Sequence, residues 1–333
     1  MKLSILDQSP LIGHVTPAEA LRQTVELAKQ AEKWGYHRFW VSEHHFSNRL
    51  AGSSPEVLLG HLSAVTSQIR IGSGGVMLPH YSAYKVAENF RVLEALAPGR
   101  IDLGIGRAPG GMPISSIALH HGERKRLGDQ YPEQVEELKV YLHDLADESY
   151  PLPYLTASPM VATAPEVWML GSSGESAKLA AKAGAGYTFA LFINGEGGED
   201  AVEQYINRFE PSAFGDEPRV SLAVFVLCAE TDEQAEKLAV SLDLSLLANE
   251  QGQNLGSFPS YEDAQAYSYS AYERKRVATN RKRMVIGTAS SVKEQLEALA
   301  KAYHTNEIIA VTITHHLKDR FTSYRLLKEA FDD

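Results

Sequence analysis

Eight short apolar segments alternate with amphipathic helical patterns along the 333-residue chain, and this alternation restricts the fold more than composition does. It is typical of a parallel sheet whose strands are joined by helices. The predicted strands cover residues 3–7, 38–42, 69–78, 101–106, 167–170, 186–193, 220–229 and 307–314. Eight such units favour an α/β fold of the closed (β/α)8 TIM-barrel type over an open doubly wound sheet. Residues 1–333 are predicted to form a single domain.

Helix boundaries and insertions can also be located. Thr16 suits an N-cap, and Glu19 follows it at capping-box spacing. The last helix is predicted at residues 324–330. Residues 107–131 after strand four, and residues 250–285 before strand eight, are too long for ordinary connections, so we expect both to be insertions.

Charge and cysteine content argue against several classes of protein. The formal net charge is −10, which disfavours a nucleic-acid partner because phosphate contacts require a basic face. The single cysteine, Cys228, cannot form an internal disulfide and is predicted to be a plain buried thiol. The chain starts without a signal-like apolar stretch, and no run reaches about 18 apolar residues. We therefore expect a cytoplasmic protein with no membrane partner.

The segments after strands two and three have unusual content for a barrel, whose function is expected in the loops that follow the strands. Strand two is followed by Glu43-His44-His45. A histidine there could move protons near neutral pH, or it could simply cap the loop. Strand three ends in Gly72-Ser73-Gly74-Gly75-Val76-Met77, where glycine indicates either a close approach to a ligand or a bulge.

The segments after strands four and five contain two candidate anion sites. Arg107 follows strand four, where its guanidinium could bind a phosphate or pair with an acid such as Glu43. The turn at residues 171–176 directly precedes a helix, so its N–H groups could bind an anion. Alternatively, Ser172 and Glu175 in that turn have capping-box spacing, which needs no ligand. Because the two strands are neighbours, both segments could hold one phosphate.

Two further features of the sequence leave their interpretation open. Histidine pairs occur at residues 44–45, 120–121 and 315–316, but their spacing does not fit a metal site, and we predict none. Residues 267–284 mix tyrosines with six lysines and arginines. This segment could be a mobile lid, a docking face for a phosphorylated donor, or a solvated helix within the insertion.

Several motifs together resemble the bacterial-luciferase-like flavin-dependent monooxygenases, and especially the luciferase-family oxidoreductases of bacteria. They are Leu6-Asp7-Gln8-Ser9-Pro10, Glu43-His44-His45, the glycine-rich end of strand three through Leu78, the segment from Pro98 to Gly110, and Leu170-Gly171-Ser172-Ser173. The resemblance runs through nearly the whole chain. It implies a (β/α)8 barrel that binds FMN or, in some branches, the deazaflavin F420.

The resemblance also implies roles for individual residues. Gly74 and Gly75, followed by Val76, would form a non-prolyl cis peptide segment against the flavin ring, and His44 would be the catalytic histidine. The flavin phosphate would bind Arg107 and the turn that contains Gly171, Ser172, Ser173, Glu175 and Ser176. This chain has Gly106 at the position of the reactive cysteine of the luciferase. Light emission is therefore not implied.

The implied reaction is oxygenation of a small organic substrate, aldehyde-like or other, by reduced FMN and O2 through a C4a-(hydro)peroxyflavin. A separate flavin reductase, or free reduction of flavin by NAD(P)H, would supply reduced FMN, because the sequence shows no dinucleotide-binding fold. Relatives are commonly homodimers, which implies the same here. Two alternatives remain open: an F420-dependent hydride-transfer oxidoreductase on the same barrel, and a non-catalytic flavin-binding protein.

Overall fold

Nine parallel strands form one sheet in the computed structural model, which describes residues 1–13, 15–120, 130–253 and 255–332. The strands are β1 (Lys2–Asp7), β2 (Arg38–Val41), β3 (Arg70–Met77), β4 (Ile101–Gly106), β5 (Glu166–Gly171), β6 (Gly186–Ala190), β7 (Val220–Cys228), β8 (Met284–Gly287) and β9 (Glu307–Val311). Eight of them, β1 to β7 and β9, pair in a ring. The ring closes where β9 pairs with β7 on one side and with β1 on the other. The predicted (β/α)8 TIM barrel is confirmed.

Twelve α-helices surround or follow the strands within the described residues. They are α1 (Pro17–Lys33), α2 (Pro55–Val65), α3 (Ala83–Leu96), α4 (Pro113–Leu119), α5 (Tyr131–Leu142), α6 (Gly174–Ala183), α7 (Gly198–Asn207), α8 (Asp232–Glu250), α9 (Tyr261–Ala266), α10 (Ala271–Arg281), α11 (Ala289–Ala302) and α12 (Leu317–Glu329). The capping box at the start of α1 is confirmed. The N–H of Thr16 donates to the Glu19 carboxylate at 2.7 Å, and the N–H of Glu19 donates to the Thr16 hydroxyl at 3.3 Å.

The two predicted insertions have different contents. The first contains α4 and continues into residues 121–129, which lie outside the described residues. The second contains α9 and α10 and leads into β8, a ninth strand that the prediction of eight omitted. This strand pairs with β7 from Phe225 to Cys228, across β7 from β9. Four residues after a cationic stretch are too few to show a strand period, which is why the sequence did not indicate β8.

Helix α12 begins at Leu317, seven residues before the predicted start at 324. Its buried positions include Arg320 and Ser323, so polar residues occupy the face that an apolar pattern would have marked. The Arg320 guanidinium donates to the carboxylate of Asp7 at 3.0 Å and to the carbonyl of Thr312 at 2.8 Å. The Ser323 hydroxyl accepts from the N–H of Cys228 at 2.9 Å. These bonds attach the last helix to β1 and β7.

Side chains alternate between the two faces of each strand, and this alternation produces two apolar clusters. Ile5 and Phe39 belong to the large cluster that packs the helices on the sheet, whereas Leu6 and Trp40 belong to a smaller cluster that includes Phe225. Successive side chains of a strand point to opposite faces, so the second cluster lies inside the barrel.

Candidate active site

A cavity of about 360 Å³ lies at the C-terminal ends of the strands, the face on which TIM-barrel enzymes carry their sites. The structure brings together here all but one of the predicted site residues: His44, Gly74, Gly75, Arg107, Gly171, Ser172, Ser173, Glu175 and Ser176. The exception is Val76, which is fully buried in the large core cluster and does not line the cavity.

One wall of the cavity is formed by the glycines of β3. The Gly74–Gly75 peptide bond is cis, as the resemblance implied. A Cβ atom at Gly74 would lie 2.6 Å from the Leu6 Cδ1 atom, and one at Gly75 would lie 2.7 Å from the carbonyl oxygen of Gly104. Glycine is therefore required by neighbouring protein atoms, and the backbone itself faces the cavity.

His44, in the loop after β2, lines the same cavity with a defined orientation. Its N–H donates to the carbonyl of Gly52 at 2.8 Å, and its Nδ1 atom lies 3.0 Å from the Ser42 hydroxyl. The Nε2 atom has no hydrogen-bond partner within the described part of the chain. Burial, and secondarily the charge of His45, lower the pKa of His44 to about 4. The imidazole of this protein is consequently neutral at pH 7.

Glu43 fixes the loop after β2 and does not pair with Arg107. Its fully buried carboxylate accepts hydrogen bonds from the Met77 N–H at 3.0 Å, the Tyr81 hydroxyl at 2.8 Å and the His45 ring at 2.6 Å. The suggested Glu43–Arg107 pair is therefore wrong. Burial and the Glu43 carboxylate raise the pKa of Tyr81, so its phenol remains a proton donor to Glu43.

Arg107 lies at the end of β4 as an exposed cation. Among the described residues no carboxylate lies within 4 Å of its guanidinium. The pKa of Glu175 is lowered, chiefly by a hydrogen bond from Lys178 at 2.7 Å and in part by the charge of Arg107. Arg107 and the turn after β5 line the same cavity, so the two candidate anion sites are neighbours in space.

The turn after β5 is ordered by side chains, with different partners from those predicted. Helix α6 has Ser173 as its N-cap, and the Ser176 hydroxyl accepts from the Ser173 N–H at 3.4 Å and donates to the Ser173 carbonyl at 2.7 Å. The predicted Ser172–Glu175 capping pair is wrong by one residue. Asn194 donates to the Ser172 carbonyl at 2.9 Å.

The first turn of α6 leaves donors available. The N–H groups of Gly174 and Glu175 make no hydrogen bond within the described residues, as expected at a helix start. These N–H groups lie at the N-terminus of α6, which is the positive end of the helix dipole. Together with Arg107, they form a place where an anion can bind.

Other lining residues were not predicted. They include Leu6, Gln8, Met77, Tyr131, Leu170, Phe192 and Ile193. Strand alternation could have identified Leu6 and Leu170, because both occupy inward positions. Tyr131 follows the first insertion, and no spacing in the sequence indicates that it returns to the cavity.

The remaining candidates have structural surroundings. Cys228 is buried, as predicted, and burial raises the pKa of its thiol to about 12. In the segment 267–284, Arg276 pairs with Glu250 and Arg281 pairs with Asp243 of α8. Within the described ranges no three histidine, cysteine or acidic residues form a metal-binding group, and no helix there is long and apolar enough to cross a membrane.

The closed parallel barrel and its cavity define a (β/α)8 protein with a cavity at the C-terminal mouth. The family profile of luciferase-like monooxygenases matches residues 1–306. The chain therefore belongs to the luciferase-like monooxygenase family.

Similar proteins extend this result. The chain is 64% identical to YwcH of Bacillus subtilis over the full length of both. It is 42% identical to N-acetyl-S-alkylcysteine monooxygenase of the same organism, covering 99% of this chain and 98% of the relative. Among solved structures, apo-MsnO8 superposes with a TM-score of 0.90 at 38% identity, covering 99% of this chain and 97% of that one.

Two more distant structures share the fold alone. The oxygenating constituent of 3,6-diketocamphane monooxygenase, in complex with FMN, has a TM-score of 0.71 at 19% identity, covering 99% of this chain and 97% of that one. An F420-dependent secondary alcohol dehydrogenase has a TM-score of 0.71 at 15% identity, covering 100% and 99%. The barrel is thus used with both kinds of flavin.

Proposed function

We propose that this chain is a flavin-dependent monooxygenase that uses reduced FMN and O2 to oxygenate a small organic substrate. One observation carries the proposal. A single cavity joins a glycine wall, a neutral histidine, and an anion-binding corner formed by Arg107 and the start of α6. Membership in the luciferase-like monooxygenase family supports the reaction class.

The residues present fit FMN at both of its ends. A phosphate needs positive charge and free N–H donors, and the corner at Arg107 offers both. A flavin ring needs a flat apolar wall with backbone access. The wall offers the Gly74–Gly75 backbone beside Leu6 and Leu170. When bound, reduced FMN supplies the electrons and the position at which O2 is activated.

The protein's own contribution is orientation, exclusion of water and control of one proton. The apolar lining limits water around the reacting atoms. His44 presents Nε2 to the cavity, because Ser42 occupies Nδ1. A neutral imidazole can accept a proton at Nε2 and return it. Negative charge brought into the cavity by a cofactor would raise the pKa of His44 toward the working pH.

Reduced FMN requires an external source. We propose a separate flavin reductase, because the described elements form one barrel and include no additional nucleotide-binding unit. A homodimer remains part of the same proposal.

The test couples purified protein to a flavin reductase with NAD(P)H, FMN, O2 and a panel of aldehydes, ketones and thioethers. Oxygenated product and released hydrogen peroxide are both quantified. We expect His44→Ala to bind FMN normally and to lose about 10²- to 10⁴-fold in product formation, with peroxide released instead. Lys318→Ala, an exposed substitution on α12, serves as the control.

The outcomes separate the candidate functions. Undiminished product from His44→Ala would contradict the role of His44. Reduction of F420 in place of FMN would favour hydride transfer on the same barrel. Tight FMN binding with no product from any substrate would favour a flavin-binding protein.

A further inference from the structure

A second chamber of about 630 Å³ adjoins the cavity described above. The two share five lining residues: Gln8, His44, Gly110, Phe192 and Ile193. His44 therefore stands where the chambers meet. The second chamber lies between the loop after β2 and helix α8, and residue Arg283, just before β8, closes one side of it.

Most of this chamber is apolar. Its apolar side chains include Leu11, Phe192, Phe225, Leu242, Leu246, Phe258 and Ile313. Its size lies within the ordinary range for small-molecule sites, which are mainly apolar with a few placed polar groups.

The charged residues of the chamber all have one sign. Arg49 and Arg283 line it, and no aspartate or glutamate does so among the described residues. The charged lining of the chamber is therefore positive, whereas the formal net charge of the whole chain is −10. A chamber that gathers positive charge in an acidic protein favours an anionic occupant.

Arg49 has no acidic partner. One of its guanidinium nitrogens donates to the carbonyl of Gln253 at 3.0 Å, and within the described ranges no carboxylate lies within 4 Å. Its backbone is fixed, because the carbonyl of Arg49 accepts from the N–H of Leu11 at 2.7 Å. The remaining N–H donors of a positioned, uncompensated guanidinium are available to a ligand.

Arg283 is only partly compensated. It pairs with Glu250 at 3.2 Å, but Arg276 binds the same carboxylate at 2.6 Å. Its Nη1 atom donates to the carbonyl of Ile193, and its buried Nε atom has no partner in the described residues. Two guanidinium groups thus share one carboxylate, which leaves positive charge at the chamber wall.

We propose that this chamber is the substrate site and that it takes a small carboxylic acid with an apolar body. The carboxylate binds Arg49, with Arg283 adding positive charge, and the apolar body packs against the aromatic wall, so that the atom to be oxygenated approaches His44. This inference rests on the proposed function, which makes the neighbouring cavity the flavin site.

The test compares acids with their primary amides, which keep the shape and lose the charge. The probes are N-acetyl-S-benzylcysteine, (benzylthio)acetic acid and 3-phenylpropanoic acid, each with its amide. Calorimetric titration gives Kd for wild type, Arg49→Gln, Arg49→Lys and the control Arg208→Gln, which alters an exposed residue of the outer ring. Binding is measured with FMN-loaded protein and without FMN.

We expect at least one acid to bind wild type about 10- to 100-fold more tightly than its amide, in line with hydrogen bonds to a charged group. Arg49→Gln should remove that difference, Arg49→Lys should restore part of it, and Arg208→Gln should leave it intact. Unfolding midpoints of the variants exclude misfolding as the cause.

Equal binding of acid and amide, unchanged acid binding by Arg49→Gln, or no binding of any acid to wild type would each overturn the inference. Failure of the proposed function is recognised separately. In that case the acid still binds through Arg49, but neither FMN binding nor oxygen-dependent product is observed.

Discussion

His44 and Glu43 are neighbours in the chain but have different surroundings. The Glu43 carboxylate accepts three hydrogen bonds inside the protein, including one from the Met77 N–H. His44 has one ring contact, to Ser42, and faces the cavity. Because Glu43 holds the loop on β3, the position of His44 over the cavity depends on its neighbour's bonds as well as on its own.

The lowered pKa of His44 has a consequence for stability. A histidine of the unfolded chain has a pKa near 6.5, whereas that of His44 in the fold is about 4. Between these values the unfolded chain binds more protons, so stability rises with pH. The loss of folding stability caused by His44 is absent above about pH 6.5 and grows as the pH falls toward 4.

Lowering the pH from 7 to 5 should reduce the free energy of unfolding of both wild type and His44→Gln. We expect this reduction to be about 1–2 kcal/mol smaller in His44→Gln, which lacks the buried imidazole. Urea unfolding of both proteins at the two pH values measures the difference. Other buried histidines contribute equally to both proteins and cancel. An identical pH dependence in the two proteins would mean that His44 titrates normally.

At the scale of elements, the anion corner depends on two strand ends. Arg107 comes from the end of β4, and the free N–H groups come from the start of α6, which follows β5. Parallel neighbouring strands end at the same edge, so their continuations meet without any long-range signal in the sequence. This geometry is why the proximity of Arg107 to the turn after β5 could be predicted from two separate motifs.

We expect Arg107→Gln to weaken FMN binding about tenfold or more, because a guanidinium–phosphate contact is charge-assisted. Riboflavin, which lacks the phosphate, should bind wild type and variant with similar Kd. Fluorescence titration of both ligands measures the effect. A parallel loss of riboflavin affinity would indicate that Arg107 acts through the fold and not through phosphate.

Other elements could be predicted only in part. The barrel strands are visible because each is a buried apolar run. Strand β8 is too short to show a period, and the early turns of α12 are hidden because Arg320 takes a buried position. Val76 belonged to a site motif, but the residue packs into the core. The second chamber combines residues as distant in sequence as Leu11 and Ile313, which no local pattern reveals.

At the scale of the whole molecule, the two ends of the barrel carry different residues. The C-terminal mouth holds the glycines, His44 and the two chambers. The N-terminal end is closed by a buried ion network. Arg38 contacts Asp102 at 2.8 Å and Glu307 at 2.6 Å, and its guanidinium lies 4.8 Å from the centre of the Trp168 ring. A cavity at the C-terminal end and a stabilising ion network at the N-terminal end match the division between function and stability seen in TIM barrels.

Because the ion network and the cavity lie at opposite ends of the barrel, we expect Arg38→Met to lower stability without changing FMN affinity. The substitution leaves two buried carboxylates with fewer partners, and breaking a buried pair costs about 3–5 kcal/mol. For a chain of this length, such a loss lowers the thermal unfolding midpoint by about 4–7 °C. FMN affinity should stay within about twofold of wild type, because the cavity proposed for the flavin lies at the other end of the strands.

Arg219→Met is the matched control for this expectation. Arg219 also stacks on Trp168, at 5.2 Å, but its partner Glu166 is partly exposed, so its ion pair is screened by water. We expect a loss below about 1 kcal/mol for this variant. Differential scanning fluorimetry gives the unfolding midpoints of wild type, Arg38→Met and Arg219→Met, and FMN titration gives their affinities for FMN. If Arg38→Met weakened FMN binding in proportion to its lost stability, the two ends of the barrel would be coupled. The N-terminal ion network would then affect ligand binding at the C-terminal cavity as well as the stability of the fold.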